Sequence, residues 1–300
     1  MTEISGRRAT SIPELFDLFG RMTTPEGSEH WRNLPVESSD VFIATFPKSG
    51  TTWMQQIVHG LKTRGSMAFK EISEVVPYIE VAWDCGIDLS SAQPASPRAF
   101  KTHADETTVP KGGRYIVVVR DPLDVAVSFY KFMDGWFIEK GAIPIDEFVE
   151  AVIFKAEGAD DYWSHLLSWW PRRFDPDVRF YFFEDMKLAL EPVVRDVAGF
   201  IGIELDEELC RIVLRQASMG FMKAHEHQFD DNLLRDKRDA AVGLPPGGDS
   251  SKVSTGKVGG HKTVLSPAIS QRFEQIWQER VLPVTGAANY AELRQTARKQ

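Results

Sequence analysis

The sequence predicts a single α/β domain whose central, mostly parallel sheet is flanked by helices. Three observations lead to this fold class. Short apolar runs rich in β-branched residues alternate along the chain with segments of helical period. Tight polar loops follow two of these runs, at the edge where open α/β sheets place their ligands. The 300 residues are 43% hydrophobic and 26% charged, which suits one folded unit, residues 1–300, with one large core.

The strands are predicted from the apolar runs, and the helices from the period of the segments between them. Four runs are predicted to be strands: 41–45, 98–104, 115–120 and 178–183. The segments predicted to be helical are 53–62, 121–132, two stretches within 145–174, 192–202, 206–217 and 266–281. The first 38 residues are expected to form a lead-in helix and loop before the core.

Between residues 228 and 262 the composition shifts to charged residues, glycine and proline. This shift predicts a long loop. Loops of this length within a compact domain are usually lids, binding loops or disordered segments, and we expect a lid at residues 228–262.

Charge and cysteine content narrow the possible partners. The formal net charge of −8 argues against nucleic acid as the main partner, because affinity for phosphate backbones comes from clustered lysine and arginine. Cys85 and Cys210 show no C-x-x-C spacing and are expected to be buried thiols in a reducing compartment. Since no apolar run approaches the ~20 residues of a membrane span, we expect a cytoplasmic protein without an integral membrane segment.

Residues 46–52 join the first predicted strand to a helix and have the composition of an anion-binding loop. Backbone amides, a helix N-terminus and two threonine hydroxyls are able to point at one anion there, and Lys48 adds a full charge. The loop is not a Walker A loop, which requires glycines where this chain has Phe42 and Pro47. The alternative is an ordinary strand-to-helix turn with a solvated lysine.

A second group of chemically useful residues lies on the second predicted strand. Alternate side chains of a strand share a face, so Lys101 and His103 point the same way while Thr102 points to the opposite face. A histidine suits proton abstraction from a hydroxyl near neutral pH because its ordinary pKa is about 6.5. The alternative for His103 is a structural or surface histidine.

Arg120 closes the third predicted strand at its carboxyl end, and Ser128 follows about two turns into the next helix. Together they are able to clamp one phosphate with a charge and a hydroxyl. The alternatives are an ion pair of Arg120 with Asp121 or Asp124, and a small residue at a helix contact for Ser128.

Three motifs together resemble the cytosolic-type sulfotransferases that use 3′-phosphoadenosine 5′-phosphosulfate (PAPS), over about residues 40–280. Residues 45–53, TFPKSGTTW, resemble the family's 5′-phosphosulfate loop, and residues 100–103, FKTH, resemble its catalytic-histidine strand. Residues 117–132, VVVRDPLDVAVSFYKF, resemble its 3′-phosphate segment. The resemblance implies transfer of a sulfuryl group from PAPS to an acceptor hydroxyl, with 3′-phosphoadenosine 5′-phosphate (PAP) as the second product.

The same resemblance implies roles for individual residues. His103 would be the base, Lys48 would contact the bridging oxygen and the 5′-phosphosulfate, and Lys101 would assist at the sulfuryl group. The other implied donor contacts are a phosphate cradle of Ser49, Gly50, Thr51 and Thr52, an adenine stack on Trp53, and 3′-phosphate contacts from Arg120 and Ser128.

Later stretches match the family less closely. Phe183 stands where a family tyrosine would touch the cofactor, and near the adenine Ser218 is kept while Met219 replaces an aromatic ring. A methionine is still able to pack on a base.

The late glycine loop, residues 254–262, also differs from the family pattern. Ser254 and Thr255 replace two cations, so Lys257 is the candidate for the missing charge. The backbone around Gly256 is expected to approach the 3′-phosphate closely. The family's dimer motif is not reproduced after this loop, so the oligomeric state is left open.

The expected acceptor is a small, apolar or amphipathic alcohol or phenol, with lipids among the candidates. Aromatic residues near the motifs, which are either acceptor-site residues or core residues, are Tyr78, Trp83, Phe132, Trp136, Phe137 and Phe229. His165, Trp169 and Trp170 are predicted to pack in the core.

No metal is expected, because a sulfuryl group carries less negative charge than a phosphoryl group and lysines take the place of Mg²⁺. His225 and His227 form an H-x-H pair without an obvious third ligand and are predicted to lie at a solvated loop edge. Two other functions stay open: a non-catalytic module that binds PAPS or a nucleotide, and an ATP-dependent kinase, which the failed Walker A pattern disfavours.

Overall fold

The computed structural model describes residues 6–154, 161–253 and 258–297. Four strands of the described residues form one parallel sheet. They are Val41–Ala44 (β1), Ala99–Thr102 (β2), Arg114–Val119 (β3) and Val178–Phe182 (β4). Their order in the sheet is β2-β1-β3-β4. The predicted strands are therefore confirmed, as is the fold class.

Helices cover the sheet and account for most of the remaining described chain. The α-helices are Ile12–Gly20 (α1), Pro25–Arg32 (α2), Thr51–Lys62 (α3), Ile79–Ala82 (α4), Pro122–Met133 (α5), Ile145–Phe148 (α6), Tyr162–Trp169 (α7), Phe183–Leu188 (α8), Leu190–Ile201 (α9), Glu207–Gln216 (α10), Met219–Ala224 (α11), Asn232–Val242 (α12), Pro267–Ile276 (α13), Leu282–Thr285 (α14) and Tyr290–Thr296 (α15). Turns of 3₁₀-helix occur at Ile72–Glu74, Trp83–Cys85, Trp170–Arg172, Glu226–Gln228 and Gly260–Thr263, and π-helical turns at Val149–Ile153 and Trp277–Val281.

The inner strands are buried on both faces, which explains why their sequences are apolar runs and not alternating patterns. On one face, the centre of the Phe42 ring lies 5.4 Å from that of Phe100 and 5.7 Å from that of Tyr115. On the other face, Val41 and Ile43 pack in a second layer against α3 and its neighbours. Each fully buried side chain of this size contributes roughly 1.5–3 kcal/mol to folding.

The chain order of the strands places a ligand crevice at one edge of the sheet. The chain builds β2 on one side of β1 and then crosses to build β3 on the other side. At the carboxyl ends of strands, such a switch point leaves the crevice where open α/β sheets bind ligands. Helices α3 and α5 begin shortly after β1 and β3, so the loops with the sequence motifs meet at this edge.

The predicted long loop at 228–262 is wrong for residues 232–242, which form helix α12. Only two apolar side chains of this helix, Leu234 and Val242, are buried, so its period does not stand out among the charged residues. A tertiary contact supports it, because the Trp136 indole donates to the Asp239 carboxylate at 3.0 Å. The helix ends at Gly243, whose φ of 96° suits glycine.

Other expectations concern the lead-in segment, the thiols and the membrane. The lead-in segment forms two helices, where one was predicted. Cys85 and Cys210 are free and buried, as predicted. In the part of the chain that the structure describes, no helix combines the length and the apolar character needed to cross a membrane.

Candidate active site

A cavity of about 1300 Å³ lies at the carboxyl edge of the sheet. Its lining includes the loops that follow β1 and β2, the end of β3 and one side of α5. The predicted site residues that line it are Lys48, Gly50, Thr51, Thr52, Trp53, Lys101, His103, Arg120, Ser128 and Ser218. Ser49 is fully buried within the same loop. Gly256 and Lys257 lie outside the described residues.

The loop between β1 and α3 has the backbone shape of an anion cradle. Lys48 and Gly50 both have positive φ angles, 67° and 110°. A Cβ atom at position 50 would lie 3.0 Å from the Phe183 ring, so the φ angle and the close approach together require glycine. The first N–H groups of α3 have no partner within the helix, and Thr51 and Thr52 line the cavity. This end of the helix therefore favours a bound anion.

Hydroxyl groups add to this cradle. The Ser49 hydroxyl is buried and has no hydrogen-bond partner among the described residues. Leaving such a group unbonded costs about 1–3 kcal/mol, and an anion in the cradle would supply the missing partner. The hydroxyls of Thr45 and Thr51 lie 2.5 Å apart and fix each other beside it.

Lys48 supplies a cation whose protonation is balanced near neutral pH. Its ammonium lies 3.8 Å from the centre of the Phe132 ring. Burial, followed by the charge of Lys252, lowers the pKa of Lys48 to about 7. A bound anion favours the charged form and would raise this pKa.

His103 is held in a single orientation. Its Nδ1 atom lies 2.6 Å from the Thr45 carbonyl oxygen, which only accepts, so Nδ1 carries the proton and donates it. The lone pair is therefore on Nε2. Burial, followed by the charge of Lys101, holds the pKa of His103 well below its ordinary value, so the ring is neutral.

Lys101 lies close to His103, against the same aromatic ring. Its ammonium is 3.9 Å from the centre of the Tyr78 ring, and the His103 ring centre is 5.1 Å from that of Tyr78. Burial lowers the pKa of Lys101 to about 8. The Thr102 hydroxyl instead donates to Glu80 at 2.7 Å and does not line the cavity. The predicted alternation along this strand is present.

Arg120 and Ser128 line the same cavity from β3 and α5. The guanidinium of Arg120 donates to the Lys48 carbonyl at 3.1 Å and lies 4.5 Å from the centre of the Phe183 ring. Arg120 thus supports the backbone of the anion cradle directly.

The two carboxylates considered as partners of Arg120 make other contacts. Asp121 begins α5 by accepting the N–H of Leu123 at 2.9 Å. Asp124 accepts the N–H of Gly259 at 2.7 Å and lies 2.9 Å from Nδ1 of His261. Asp124 thereby anchors the late glycine loop to α5, a role that the sequence analysis missed.

Trp53 and Phe183 form an aromatic wall of the cavity, with ring centres 5.4 Å apart. The Trp53 indole donates to the Ala217 carbonyl at 2.8 Å. Ser218 uses its hydroxyl as the N-cap of α11, accepting an N–H at 3.3 Å. Met219 is 45% exposed and lines the cavity at the place where the family pattern has a ring.

The aromatic candidates for the acceptor site divide into two groups. Those that line the cavity are Tyr78, Phe132, Trp136 and Phe137. Trp83 is 51% exposed, and Phe229 is fully buried elsewhere. The predicted core residues His165, Trp169 and Trp170 are buried, and His165 also lines the cavity.

An ion pair also lies at the cavity wall. The ammonium of Lys252 contacts the carboxylate of Asp231, and both side chains line the cavity. Sequence reasoning missed this ion pair because both residues belong to the predicted loop and to no motif.

His225 stacks on Phe221 with ring centres 4.0 Å apart. Among the described residues, no cluster of three His, Cys, Asp or Glu side chains is suited to a metal ion.

The chain is similar to known proteins over most of its length. Residues 38–285 match the model of a protein family described as a sulfotransferase domain. Sulfotransferase 1B1 of Canis lupus familiaris is 28% identical over 273 residues, which cover 86% of this chain and 90% of the relative. The amine sulfotransferase of Oryctolagus cuniculus is 27% identical over 254 residues, 82% of each chain.

Solved structures share the fold. Mouse sulfotransferase SULT7A1 complexed with PAP superposes with a TM-score of 0.66 at 23% identity, covering 86% of this chain and 90% of that one. Retinol dehydratase in complex with androsterone and PAP gives a TM-score of 0.68 at 21% identity, covering 92% and 95%.

The family match spans the anion cradle, β2 with His103 directly after it, and the segment of Arg120. The resemblance seen in the three sequence motifs is therefore confirmed. The chain belongs to the sulfotransferase family and is a PAPS-dependent sulfotransferase, with PAP as the product of its donor.

Proposed function

We propose that this enzyme transfers the sulfuryl group of PAPS to the hydroxyl of a small acceptor, with His103 as the general base. The orientation of His103 carries the proposal. Its Nδ1–H is donated to the Thr45 carbonyl, so Nε2 is free to take a proton. Lys48 and Lys101 line the same cavity, so a base and two cations are available where donor and acceptor would meet.

The low pKa of His103 fits this role. Because burial and the charge of Lys101 keep the ring neutral, it is ready to accept a proton across the physiological pH range. A bound anionic donor would offset the charge of Lys101 and raise the pKa of His103. The histidine would therefore become a stronger base only after the donor has bound.

The cradle residues fit the anionic groups of the donor. The residues proposed to hold the 5′-phosphosulfate are Lys48, Ser49, Gly50, Thr51 and Thr52, and those proposed for the adenine are Trp53 and Ser218. The buried hydroxyl of Ser49 without a partner supports this assignment. Arg120 and Ser128 are proposed to bind the 3′-phosphate, together with Gly256 and Lys257.

In the proposed reaction, the acceptor oxygen attacks sulfur in line with the bridging oxygen of the donor. The acceptor proton passes to Nε2 of His103 as the new oxygen–sulfur bond forms. The electron pair of the broken sulfur–oxygen bond stays with the departing PAP, and Lys48 stabilises the resulting negative charge. Lys101 stabilises the sulfuryl oxygens during transfer.

The cavity favours a small alcohol or phenol as the acceptor. Its volume of about 1300 Å³ exceeds that of a site for one drug-sized ligand and suits a donor with an acceptor beside it. Tyr78, Phe132 and Trp136 supply apolar walls. The rabbit relative is named for amines, but the cations Lys48 and Lys101 disfavour a positively charged acceptor here.

We also propose that the enzyme works in the cytoplasm. Both of its cysteines are free and buried, which suits a reducing compartment.

The test is to incubate the purified protein with sulfur-35-labelled PAPS and a panel of phenols, alcohols, sterols and sugars. We expect labelled sulfate esters of at least one phenol or alcohol. Tight PAP binding without any labelled product across the panel would indicate a non-catalytic module. Phosphorylated product from ATP and Mg²⁺, and none from PAPS, would contradict the proposal in favour of a kinase.

A further inference from the structure

The ion pair between Asp231 and Lys252 is a cavity feature that the proposed reaction does not use. Their side chains are only 6% and 7% exposed. A buried ion pair costs the hydration of two charges, and apolar residues of similar volume are often at least as stable in its place. Because the pair lines a cavity, a ligand explains it better than folding stability does.

The chain holds both partners in place. Asp231 is the N-cap residue of α12, yet its carboxylate accepts no N–H of that helix, although aspartate at this position usually does. It is turned instead towards Lys252. The backbone N–H of Lys252 also donates to the carboxylate of Asp230, the residue before Asp231, at 3.1 Å. This hydrogen bond is a second connection between Lys252 and the start of α12.

The pair lies beside the reacting groups. Asp231 and Tyr78 together line both the main cavity and a small void next to it, and the ring of Tyr78 contacts Lys101. After burial, the charge of Lys252 is also the largest influence on the pKa values of Lys48 and Lys101. A ligand group that reaches this pair therefore belongs to a molecule held near His103.

The chemistry of the pair selects for a hydroxyl. An ammonium that contacts one carboxylate still has N–H groups to donate, and a carboxylate with one partner still has lone pairs to accept with. A hydroxyl satisfies both at once, since its oxygen accepts from Lys252 while its O–H donates to Asp231. The pair has no net charge, so it does not require an ionised ligand.

We propose that Asp231 and Lys252 bind a second hydroxyl group of the acceptor, so that the enzyme prefers neutral diols and hydroxyphenols to acceptors with one hydroxyl. A cationic group at this position would meet Lys48, Lys101 and Lys252. A carboxylate would meet Asp231 and, in the protein–PAP complex, the phosphate groups of PAP. This inference rests on the proposed function, because it names the class of acceptor for the same site.

The test measures acceptor binding to the protein–PAP complex by titration calorimetry, which does not depend on turnover. Two matched pairs of probes differ only in the second hydroxyl: 4-(hydroxymethyl)phenol against 4-methylphenol, and estradiol against the same steroid without its 17-hydroxyl. We expect at least tenfold tighter binding of the diol in one pair or both. 4-(Aminomethyl)phenol and 4-hydroxybenzoate are expected to bind more weakly than 4-(hydroxymethyl)phenol.

Variants assign the preference to the ion pair. Removing one charge leaves the other buried and unpaired, so the main variant combines Asp231→Leu with Lys252→Met, and Asp231→Asn is the conservative companion. The double variant should bind both members of each probe pair equally, and Asp231→Asn should reduce the preference several-fold. The matched control removes an exposed ion pair, Glu191→Leu with Arg195→Met, and should keep the full preference.

The outcomes separate this proposal from the one on which it rests. A cooperative denaturant-unfolding transition like that of the wild type shows that each variant is folded. Three results would each overturn the proposal. The wild type could bind both members of each probe pair equally, the double variant could keep the preference for the diol, or the amine or the carboxylate could bind most tightly. A wild type that prefers diols but forms no sulfate ester would contradict the proposed function and leave this binding preference intact.

Discussion

Burial governs the protonation of two residues with proposed roles in the chemistry, Lys48 and His103. Both groups are cationic when protonated, and burial lowers the pKa of each by disfavouring the charged form. The consequences differ, since Lys48 must be charged to hold an anion and His103 must be neutral to act as a base.

The pKa of Lys48 predicts how PAP binding depends on pH. Below pH 7 the lysine is already charged in the free enzyme, and above pH 7 it must take up a proton before it binds the anion. PAP affinity should therefore fall as pH rises from 7 to 9, by up to about tenfold per pH unit for each lysine that must be protonated. Calorimetry in buffers of different ionisation enthalpy would measure this proton uptake.

Lys48→Arg is the control for this pH dependence, because arginine stays charged throughout the range. At pH 8.5 the variant should take up about one proton fewer per PAP bound than the wild type does. We assign any proton uptake that remains in the variant to Lys101. The same proton uptake in the variant and the wild type would show that Lys48 is not the titrating group.

The grouping of four proposed site residues around one cavity was predictable from local sequence. Lys48 follows one predicted strand and Arg120 ends another. Lys101 and His103 lie within a third, and parallel strands bring such positions to one edge. Asp124 was seen only as a candidate ion-pair partner. Its contact with Gly259 crosses more than a hundred residues of chain, and no local pattern encodes that contact.

At the level of elements, the turn from β1 into α3 depends on Gly50. Its φ of 110° is strained for any other residue, and a Cβ atom there would lie only 3.0 Å from the Phe183 ring. Gly50→Ala should lower the free energy of unfolding by about 1–3 kcal/mol and also weaken PAP binding, as measured by denaturant unfolding and calorimetry.

Gly199→Ala is the matched control for this substitution. Gly199 lies inside α9 with open space around it, so alanine there should raise stability by up to ~1 kcal/mol and leave PAP affinity unchanged. Equal stability and equal PAP affinity in the two variants would show that the cradle does not need the positive φ angle of Gly50.

Asp124 joins α5 to the late glycine loop, which is proposed to approach the 3′-phosphate. Asp124→Ala removes the acceptor of the Gly259 N–H and should weaken PAP binding about tenfold, which corresponds to about 1.4 kcal/mol. Asp134→Ala removes a comparable contact, to the N–H of Gly141 at 2.8 Å, outside the cavity. Equal PAP affinity in the two variants would exclude a role for this anchor.

Elements with continuous or regularly spaced apolar residues were predictable, while α12 was not. β1 is apolar throughout, β3 is buried from Tyr115 to Val119, and α10 repeats its buried residues at helical spacing. Helix α12 buries few apolar side chains and depends on the contact between Asp239 and Trp136. Tertiary packing decides such a segment, and composition alone does not reveal it.

At the scale of the whole molecule, an acidic protein lines its cavity with more cationic than acidic side chains. The formal net charge is −8, yet Lys48, Lys101 and Lys252 all line the cavity. PAP at 100 times its dissociation constant should stabilise the fold by about 2.7 kcal/mol.

The predicted lid is expected to close over the bound ligands. Residues 228–253 supply Asp231, Leu234 and Lys252 to the cavity wall. PAP with an acceptor should therefore slow hydrogen exchange in α12 and its flanks more than in β1 or β3, where protection is already high. Mass spectrometry of the exchanged protein measures this. Protection confined to the β1–α3 loop would show that the segment does not close over the ligands.

In the proposed reaction, His103 removes the acceptor proton during sulfuryl transfer. The most direct measurement compares His103→Gln with the wild type in kcat for transfer of label from PAPS, alongside the PAP dissociation constant of each. We predict a loss of kcat of about 10²–10⁴-fold with PAP affinity within a few-fold of the wild type. A variant that keeps most of the wild-type kcat would contradict this role of His103.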